Sequence, residues 1–463
     1  MRGDRRYSTG RRFLLGAAAV LFGTAMAYAD EKPKAPQSIW EQETLTGDWG
    51  GARTALKDRG IDVTLNYIGE SLNVLSGGAM RGGTYGGRFE FSVDGDLQKL
   101  VGWPDAKAHV TVYQIQNTRG GIDRFSGSIA DPSNIDALQT TRLFTLWLEQ
   151  GFGPHASLRI GQLAADDEFF TSDTAAGLIS GTFGWGTLFA ANLLSGGPAY
   201  PLATPGARLK LDLNDALTAR VAVFSGDPAG DNCNDPNPQK CDRYGTKFSF
   251  DGGVFAIGEL QYAVNQSKQA AGLPGVYKLG AWYASADYLD QHYGLTAAGA
   301  QVSLADPSVV FGLAHQGNAG IYGVADQMIW RGMASSVNVF VRGGLVPSDR
   351  NLVSGYVDGG IGIKGALPGR ADDTLTFGVA YSNISPAAVA LDRDFLAFNG
   401  PPYAVRDAET LFELSYIAQL APWWTVQPDL QYIRHPSGGQ NPNDPTLTLD
   451  HAFIAGIRST IKF

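Results

Sequence analysis

The chain has 463 residues, with 36 Lys and Arg against 45 Asp and Glu, 59 Gly, 18 Tyr, 23 Phe, 9 Trp and only 2 Cys. The acidic balance, −9 overall, excludes a nucleic-acid binder, whose affinity rests on clustered Lys and Arg. No segment beyond the amino terminus offers the roughly 18 consecutive apolar residues that a transmembrane helix needs, and abundant Gly and aromatics suit many short strands and turns.

Residues 1–29 have the three-part form of a secretory signal peptide. Arg2, Arg5, Arg6, Arg11 and Arg12 make a basic start, Phe13 to Met26 an apolar stretch, and Ala27-Tyr28-Ala29 a small-x-small cleavage site. Cleavage there leaves residues 30–463, with 31 Lys and Arg against 44 Asp and Glu, a net of −13. An exported chain without a membrane helix is periplasmic, secreted, or an outer-membrane barrel. A periplasmic enzyme of this length would alternate amphipathic helices with buried strands, a pattern almost absent here.

Residues 30–60 read as a periplasmic leader, with Pro33 and Pro36, followed by one short helix. Asp48 is its expected N-cap, Trp49, Ala52 and Leu56 share a face, and Gly60 is the left-handed stop. This helix is expected to brace or plug the periplasmic end.

From Ile61 the period changes to two, and residues 61–463 read as one barrel. Ile61, Val63, Leu65 and Tyr67 alternate with Asp62, Thr64 and Asn66; Phe89, Phe91 and Val93 alternate with Arg88, Glu90, Ser92 and Asp94. Sixteen such strands are expected to begin near residues 61, 87, 107, 141, 156, 206, 217, 253, 275, 320, 335, 355, 374, 409, 423 and 450. Long connections (68–87, 116–141, 163–206, 224–253, 284–320, 343–355, 381–409, 433–450) alternate with short ones. That asymmetry belongs to an outer-membrane antiparallel β-barrel, with long extracellular loops, short periplasmic turns and both termini on the periplasmic side. The fold class is therefore all-β, a transmembrane barrel of 16 strands, with 14 and 18 as the alternatives. In the last strand Phe453, Ala455, Ile457, Ser459, Ile461 and Phe463 form the outward face, and Arg458, Thr460 and Lys462 the inward one. Its terminal Phe463 resembles the signal read by the barrel-assembly machinery. Tyr67, Tyr381, Trp423, Trp424 and Tyr432 near strand ends suit interfacial girdles or plain packing.

Several ordered motifs resemble the OprB-type carbohydrate porins. They include Leu45-Thr46-Gly47-Asp48-Trp49-Gly50-Gly51-Ala52-Arg53 with Gly60-Ile61-Asp62, Leu146-Trp147-Leu148-Glu149-Gln150, Arg159-Ile160-Gly161-Gln162, and Asp166-Asp167-Glu168-Phe169-Phe170. Further along come Tyr322-Gly323 with Ala325-Asp326-Gln327, Pro347-Ser348-Asp349-Arg350-Asn351, Pro422-Trp423, and Gln427-Pro428-Asp429-Leu430-Gln431-Tyr432. The resemblance covers nearly the whole mature chain. It implies a sixteen-stranded barrel and passive uptake of glucose or related sugars, without saying which.

A barrel of this size leaves a water-filled lumen, so selectivity needs a constriction. The longest loop, about 163–206, carries Asp166, Asp167, Glu168, Phe169, Phe170, Phe183 and Trp185 and is expected to bend inward beside the 116–141 loop, which offers Asn117, Arg119, Asp123 and Arg124. Alternation sends Arg88, Glu90, Glu149 and Arg159 into the lumen, with Trp147 on the side of Glu149. Facing Arg and carboxylate groups supply strong, forked hydrogen bonds to hydroxyls and a transverse field, while aromatic planes suit a pyranose face. The bland alternative for each is a solvated wall residue.

Cys233 and Cys241, in an exported chain, read as one disulfide stapling the fourth long loop, remote from the constriction. The acidic 231–242 run lacks the Gly and bidentate Glu of a calcium loop. His109, His155, His292, His315, His435 and His451 show no metal spacing, and no Gly-x-Ser-x-Gly elbow occurs, so no enzyme, metal or cofactor is expected. The expected partners are monosaccharides or small oligosaccharides, outer-membrane lipid and the assembly machinery, with monomer or trimer left open. A general, cation-preferring diffusion porin is the alternative function, because net negative charge draws cations into any wide lumen.

Overall fold

The computed structural model describes residues 38–267 and 269–463; the expected signal peptide and the start of the leader lie outside the described residues. Sixteen antiparallel strands close a barrel. They are β1 (Ile61–Gly77), β2 (Gly82–Asp96), β3 (Ala106–Asn117), β4 (Thr140–Gly151), β5 (Ala156–Leu163), β6 (Thr204–Asp212), β7 (Leu217–Ser225) and β8 (Val254–Val264). The circuit continues through β9 (Gly275–Thr296), β10 (Val309–Arg331), β11 (Ser336–Leu345), β12 (Val353–Lys364), β13 (Thr374–Ile384), β14 (Ala408–Ala421), β15 (Trp424–Arg434) and β16 (His451–Lys462). Closure is made by β1, which pairs with β2 on one side and with β16 on the other, Asn66 opposite Lys462 and Tyr67 opposite Ile461. A closed ladder leaves no backbone edge unpaired, the condition that hydrocarbon imposes on any spanning sheet.

Burial follows the period-two pattern in the sense opposite to a soluble protein. Outward side chains such as Leu279 and Ile321 are 70% and 60% exposed, whereas inward Arg142, Arg342, Asp358 and Glu413 are almost fully enclosed. Apolar-out and polar-in is favourable only when the surrounding solvent is lipid. The last strand obeys it, with Ile457 exposed and Arg458 buried.

Two expected loops prove to be strand. β1 runs on to Gly77 and turns sharply into β2; past Tyr67 the apolar side chains change face, and Leu72 and Val74 point inward and are buried. The expected 284–320 loop is the outer half of a long hairpin: β9 and β10 remain paired up to Thr296 and Val309, far past the end of β8. The amino-terminal helix covers Ala52–Asp58 and so starts later than expected, since Gly50 and Gly51 adopt left-handed φ of 68° and 97°. Asp48 caps from a distance, its Oδ1 accepting from Thr54 N at 2.8 Å. Gly60 has the expected positive φ, 95°. The segment lies against the carboxy terminus: Arg53 Nη2 donates to Phe463 O at 2.6 Å and Leu45 N to Lys462 O at 2.8 Å. Trp423 belongs to that junction, not to a lipid girdle; it is buried, stacks on Trp40 at 5.9 Å and donates to Ile39 O.

Candidate functional site

The loop between β5 and β6, residues 164–203 and here called L3, leaves the wall because β5 has only eight residues and because its own sequence is too apolar for an aqueous surface. Phe169, Phe170, Leu178, Ile179, Phe183, Leu188 and Phe189 are buried in one cluster with wall residues Phe224, Phe255, Trp282, Tyr322, Phe340 and Tyr356. Room is made by small residues on the far wall. A Cβ at Gly378 would stand 2.4 Å from Leu178 Cδ1, and one at Gly344 would stand 2.5 Å from Leu188 Cδ2.

Polar anchors then fix the backbone of L3 across the lumen. Asp326 accepts from Ser172 Oγ at 2.6 Å, Thr174 Oγ1 at 2.7 Å and Thr174 N at 2.9 Å. Glu413 accepts from Ile179 N at 2.5 Å and Ser180 N at 3.1 Å. Glu259 accepts from Phe170 N, and Arg342 donates to Phe170 O at 2.8 Å while pairing with Asp358. The buried carboxylates thereby take up loop amides that would otherwise be orphaned inside the barrel.

The loop between β3 and β4, residues 118–139 or L2, also folds inward and docks on L3. Gly181 N donates to Asp131 O and Asn134 N to Ile179 O, both at 2.7 Å. Glu409 receives Ser128 Oγ, Ile129 N and Ala130 N, and Glu70 is shared by Ser133 Oγ and Arg458.

Beside these contacts, the inward side chains of β2–β9 and the first turn of L3 form a charged network. Arg159 donates Nε to Glu149 at 2.8 Å and Nη1 to Glu168 at 2.8 Å. Arg208, directly opposite Arg159 in the ladder, bonds the same two carboxylates at 2.7 and 3.0 Å. Arg220 approaches Glu168 at 3.5 Å, and Lys278 stands 3.7 Å from Glu259. The Arg159 guanidinium lies 3.8 Å from the centroid of Trp147, whose other neighbour is His109, stacked at 4.8 Å. Arg88 lies over Tyr113 at 4.6 Å and Tyr200 at 5.0 Å, with Glu90 at 3.6 Å, and its Nε has no protein partner. The result is a group of guanidinium ions interleaved with carboxylates, with Arg88 and Arg159 seated over aromatic rings.

Of the residues singled out in the sequence, the structure brings Trp147, Glu149, Arg159 and Glu168 into one network and places Arg88 and Glu90 beside it. Asp166 turns one oxygen, Oδ2, to Tyr200 N at 3.0 Å, while Asp167 is exposed to the lumen. Phe169 is 1% exposed and packs inside L3, so it offers no face to a solute. Arg119, Asp123 and Arg124 are exposed on L2; Arg119 contacts Gly83 O at 3.5 Å rather than the charged network. Asn117 bonds Ala137 O and so serves L2 itself. Sequence reading missed Arg208, Arg220 and Lys278, although their alternation in β6, β7 and β9 already pointed them inward. Tyr113 shares the inward face of His109 and Thr111 in β3, whereas Tyr200, in L3, carried no such signal. Cys233 and Cys241 are joined, S–S 2.09 Å, in the loop between β7 and β8, residues 226–253 or L4. That loop is not remote: Gln239, between the two cysteines, accepts from Leu138 N of L2 at 2.6 Å.

Residues 80–463 match the family described as "Carbohydrate-selective porin, OprB family". Porin B of Pseudomonas aeruginosa is 28% identical, the match covering 98% of this chain and 97% of that protein. The high-pH structure of Pseudomonas putida OprB superposes with a TM-score of 0.80 at 24% identity, over 92% of this chain and all of the other. Its low-pH counterpart gives 0.54 at 20% identity over 91% and 99%. With the closed barrel, the inward loops and this match across most of the sequence, the chain belongs to the OprB family of carbohydrate-selective porins of the Gram-negative outer membrane.

Proposed function

We propose that sugars of the glucose class diffuse passively between the barrel wall and L3, exchanging hydration water for the side chains of Arg88, Glu149, Arg159 and Glu168, with the buried Arg208 holding the two carboxylates in place. The observation that carries this reading is the Arg159 guanidinium, seated over Trp147 between two carboxylates. A hydroxyl both donates and accepts, so interleaved forks and carboxylates match a sugar edge whichever way each hydroxyl points. Porin family and fold indicate a channel rather than an enzyme. Recognition of Phe463 by the assembly machinery is part of this proposal.

The test is swelling of proteoliposomes in glucose against amino acids of similar size, with Arg159→Ala and Arg119→Ala. A sugar channel prefers glucose, and Arg159→Ala slows glucose at low concentration while ion conductance holds or rises. Arg119→Ala, on exposed L2, has the smaller effect. If swelling follows size alone and both variants speed every solute together, the general cation-preferring porin replaces this reading.

A further inference from the structure

L2, the returning half of L3 and the disulfide-closed turn of L4 enclose a second space, a chamber of about 310 Å³. Its lining includes Asn134 from L2, Asp166, Trp185 and Tyr200 from L3, and Gln239 from L4. None of the charged network described above borders it. Sites for small ligands span about 300–1,000 Å³, so this one holds a single sugar ring and little more.

The walls carry what a polyhydroxylated ring needs. Trp185 is fixed in orientation, with Nε1 donating to Gly196 O at 3.0 Å and its ring stacked on Phe189 at 4.2 Å. Asp166 Oδ2 accepts from Tyr200 N, and its Oδ1 has no protein partner. Asn134 Oδ1 is taken by Arg458 at 2.8 Å and Gln239 Oε1 by Leu138 N at 2.6 Å, which leaves the amide NH₂ of each as a donor at the wall. Asp131 and Asp136 also line the chamber, but Asp131 Oδ1 already accepts from Ser133 N and Asp136 from Ile122 N and Asn117 Nδ2. The open oxygen of Asp166 and the two amide donors, set around an indole plane, match the acceptor and donor roles of ring hydroxyls.

The chamber is also built in advance. Tyr200 Oη donates to Ile135 O at 2.8 Å, Gly181 N to Asp131 O at 2.7 Å, and Gln239 sits inside the Cys233–Cys241 link. A preorganised wall spares a ligand the entropy of ordering it. Tyr200 connects the two spaces, because it lines the chamber while Arg88 lies 5.0 Å from its ring centroid.

We propose that this chamber is an outer sugar subsite, where one sugar ring is held before it reaches Arg88 and the charged network; Gln239 and Asp166 are its specificity-determining residues. The inference rests on the sugar reading given above. It is tested with the full-length protein in planar bilayers, by titrating glucose from the extracellular side and reading the concentration that half-blocks ion current. Gln239→Ala and Asp166→Asn, on different loops, are compared with Arg159→Ala, and heat-modifiable gel migration confirms that each has folded. Both chamber variants are expected to raise the half-blocking concentration about three- to tenfold, the loss of one hydrogen bond each. Glucose is also expected to quench wild-type tryptophan fluorescence more than that of Trp185→Phe. If Gln239→Ala and Asp166→Asn keep the wild-type value while Arg159→Ala shifts it, the subsite is refuted and the sugar constriction stands. If Asp166→Asn does not fold, an unchanged value in Gln239→Ala is enough to refute it. If glucose never blocks the wild-type current, the sugar reading falls and takes the subsite with it.

Discussion

Arg342 and Asp358 face each other within the barrel, with no side-chain exposure and contacts of 2.5 and 3.0 Å, and Tyr356 adds its hydroxyl to Asp358 at 2.6 Å. Removing one partner of such a pair leaves an uncompensated buried charge, a loss of about 3–5 kcal/mol, whereas replacing both with apolar groups costs far less. Arg342→Met is therefore expected to lower the temperature at which the folded gel band disappears, and Arg342→Met/Asp358→Leu to restore much of it. On the other face of the wall, Leu279 points at lipid, where an arginine costs about 2–4 kcal/mol near the midplane. Leu279→Arg should accordingly reduce the yield of heat-modifiable protein, an outcome absent if this face lined water. Which side each of these residues occupies could be read from alternation alone. That Arg342 would grip Phe170 O, 172 positions away in the chain, could not.

At the level of elements, the position of L3 depends on an absence of side chain as much as on its anchors. Gly378 is covered by Leu178 and Phe183 so closely that a β-branched residue there must push the loop away. Gly378→Ile is predicted to raise single-channel conductance and weaken glucose preference, measured in the same bilayer; unchanged conductance would show that L3 does not set the aperture. Asp166, in L3, is held above the ordinary carboxylate range by loss of solvent around the loop. A raised acid takes up its proton at higher pH than usual, so this group loses its negative charge before ordinary carboxylates, which titrate near about pH 4. Cation-over-anion permeability should then fall as pH drops from neutrality, well above that range, and Asp166→Asn should flatten the profile. L4 shows how an element can be recognised and its setting missed. Its disulfide follows from two cysteines in an exported chain, yet Gln239 meets L2 only because the folded loops converge over the lumen.

For the whole molecule, an even closed sheet puts every backbone group in a ladder, and the same closure brings β1 to β16, with residue 66 opposite residue 462. The protein should show strand-dominated circular dichroism and different gel mobility before and after boiling; a helical spectrum would contradict the barrel. The sequence by itself pointed to sixteen strands, with 14 and 18 as alternatives, to an export signal, and to the inward direction of Arg88, Glu149 and Arg159, because a period of two is a local property that each strand carries independently; closure at sixteen was decided by the fold. The sequence also contained the inward positions of Arg208 and Arg220, which went unread among many similar wall residues. Only the tertiary structure decided that β9 and β10 stay paired beyond the other strands, that Phe169 is enclosed while Asp167 meets water, and that Tyr200 stands between Arg88 and the loop chamber. Those outcomes depend on how loops of 20 to 40 residues pack against a wall assembled from distant strands, and no repeating pattern along the chain encodes contacts made once, between segments far apart in sequence.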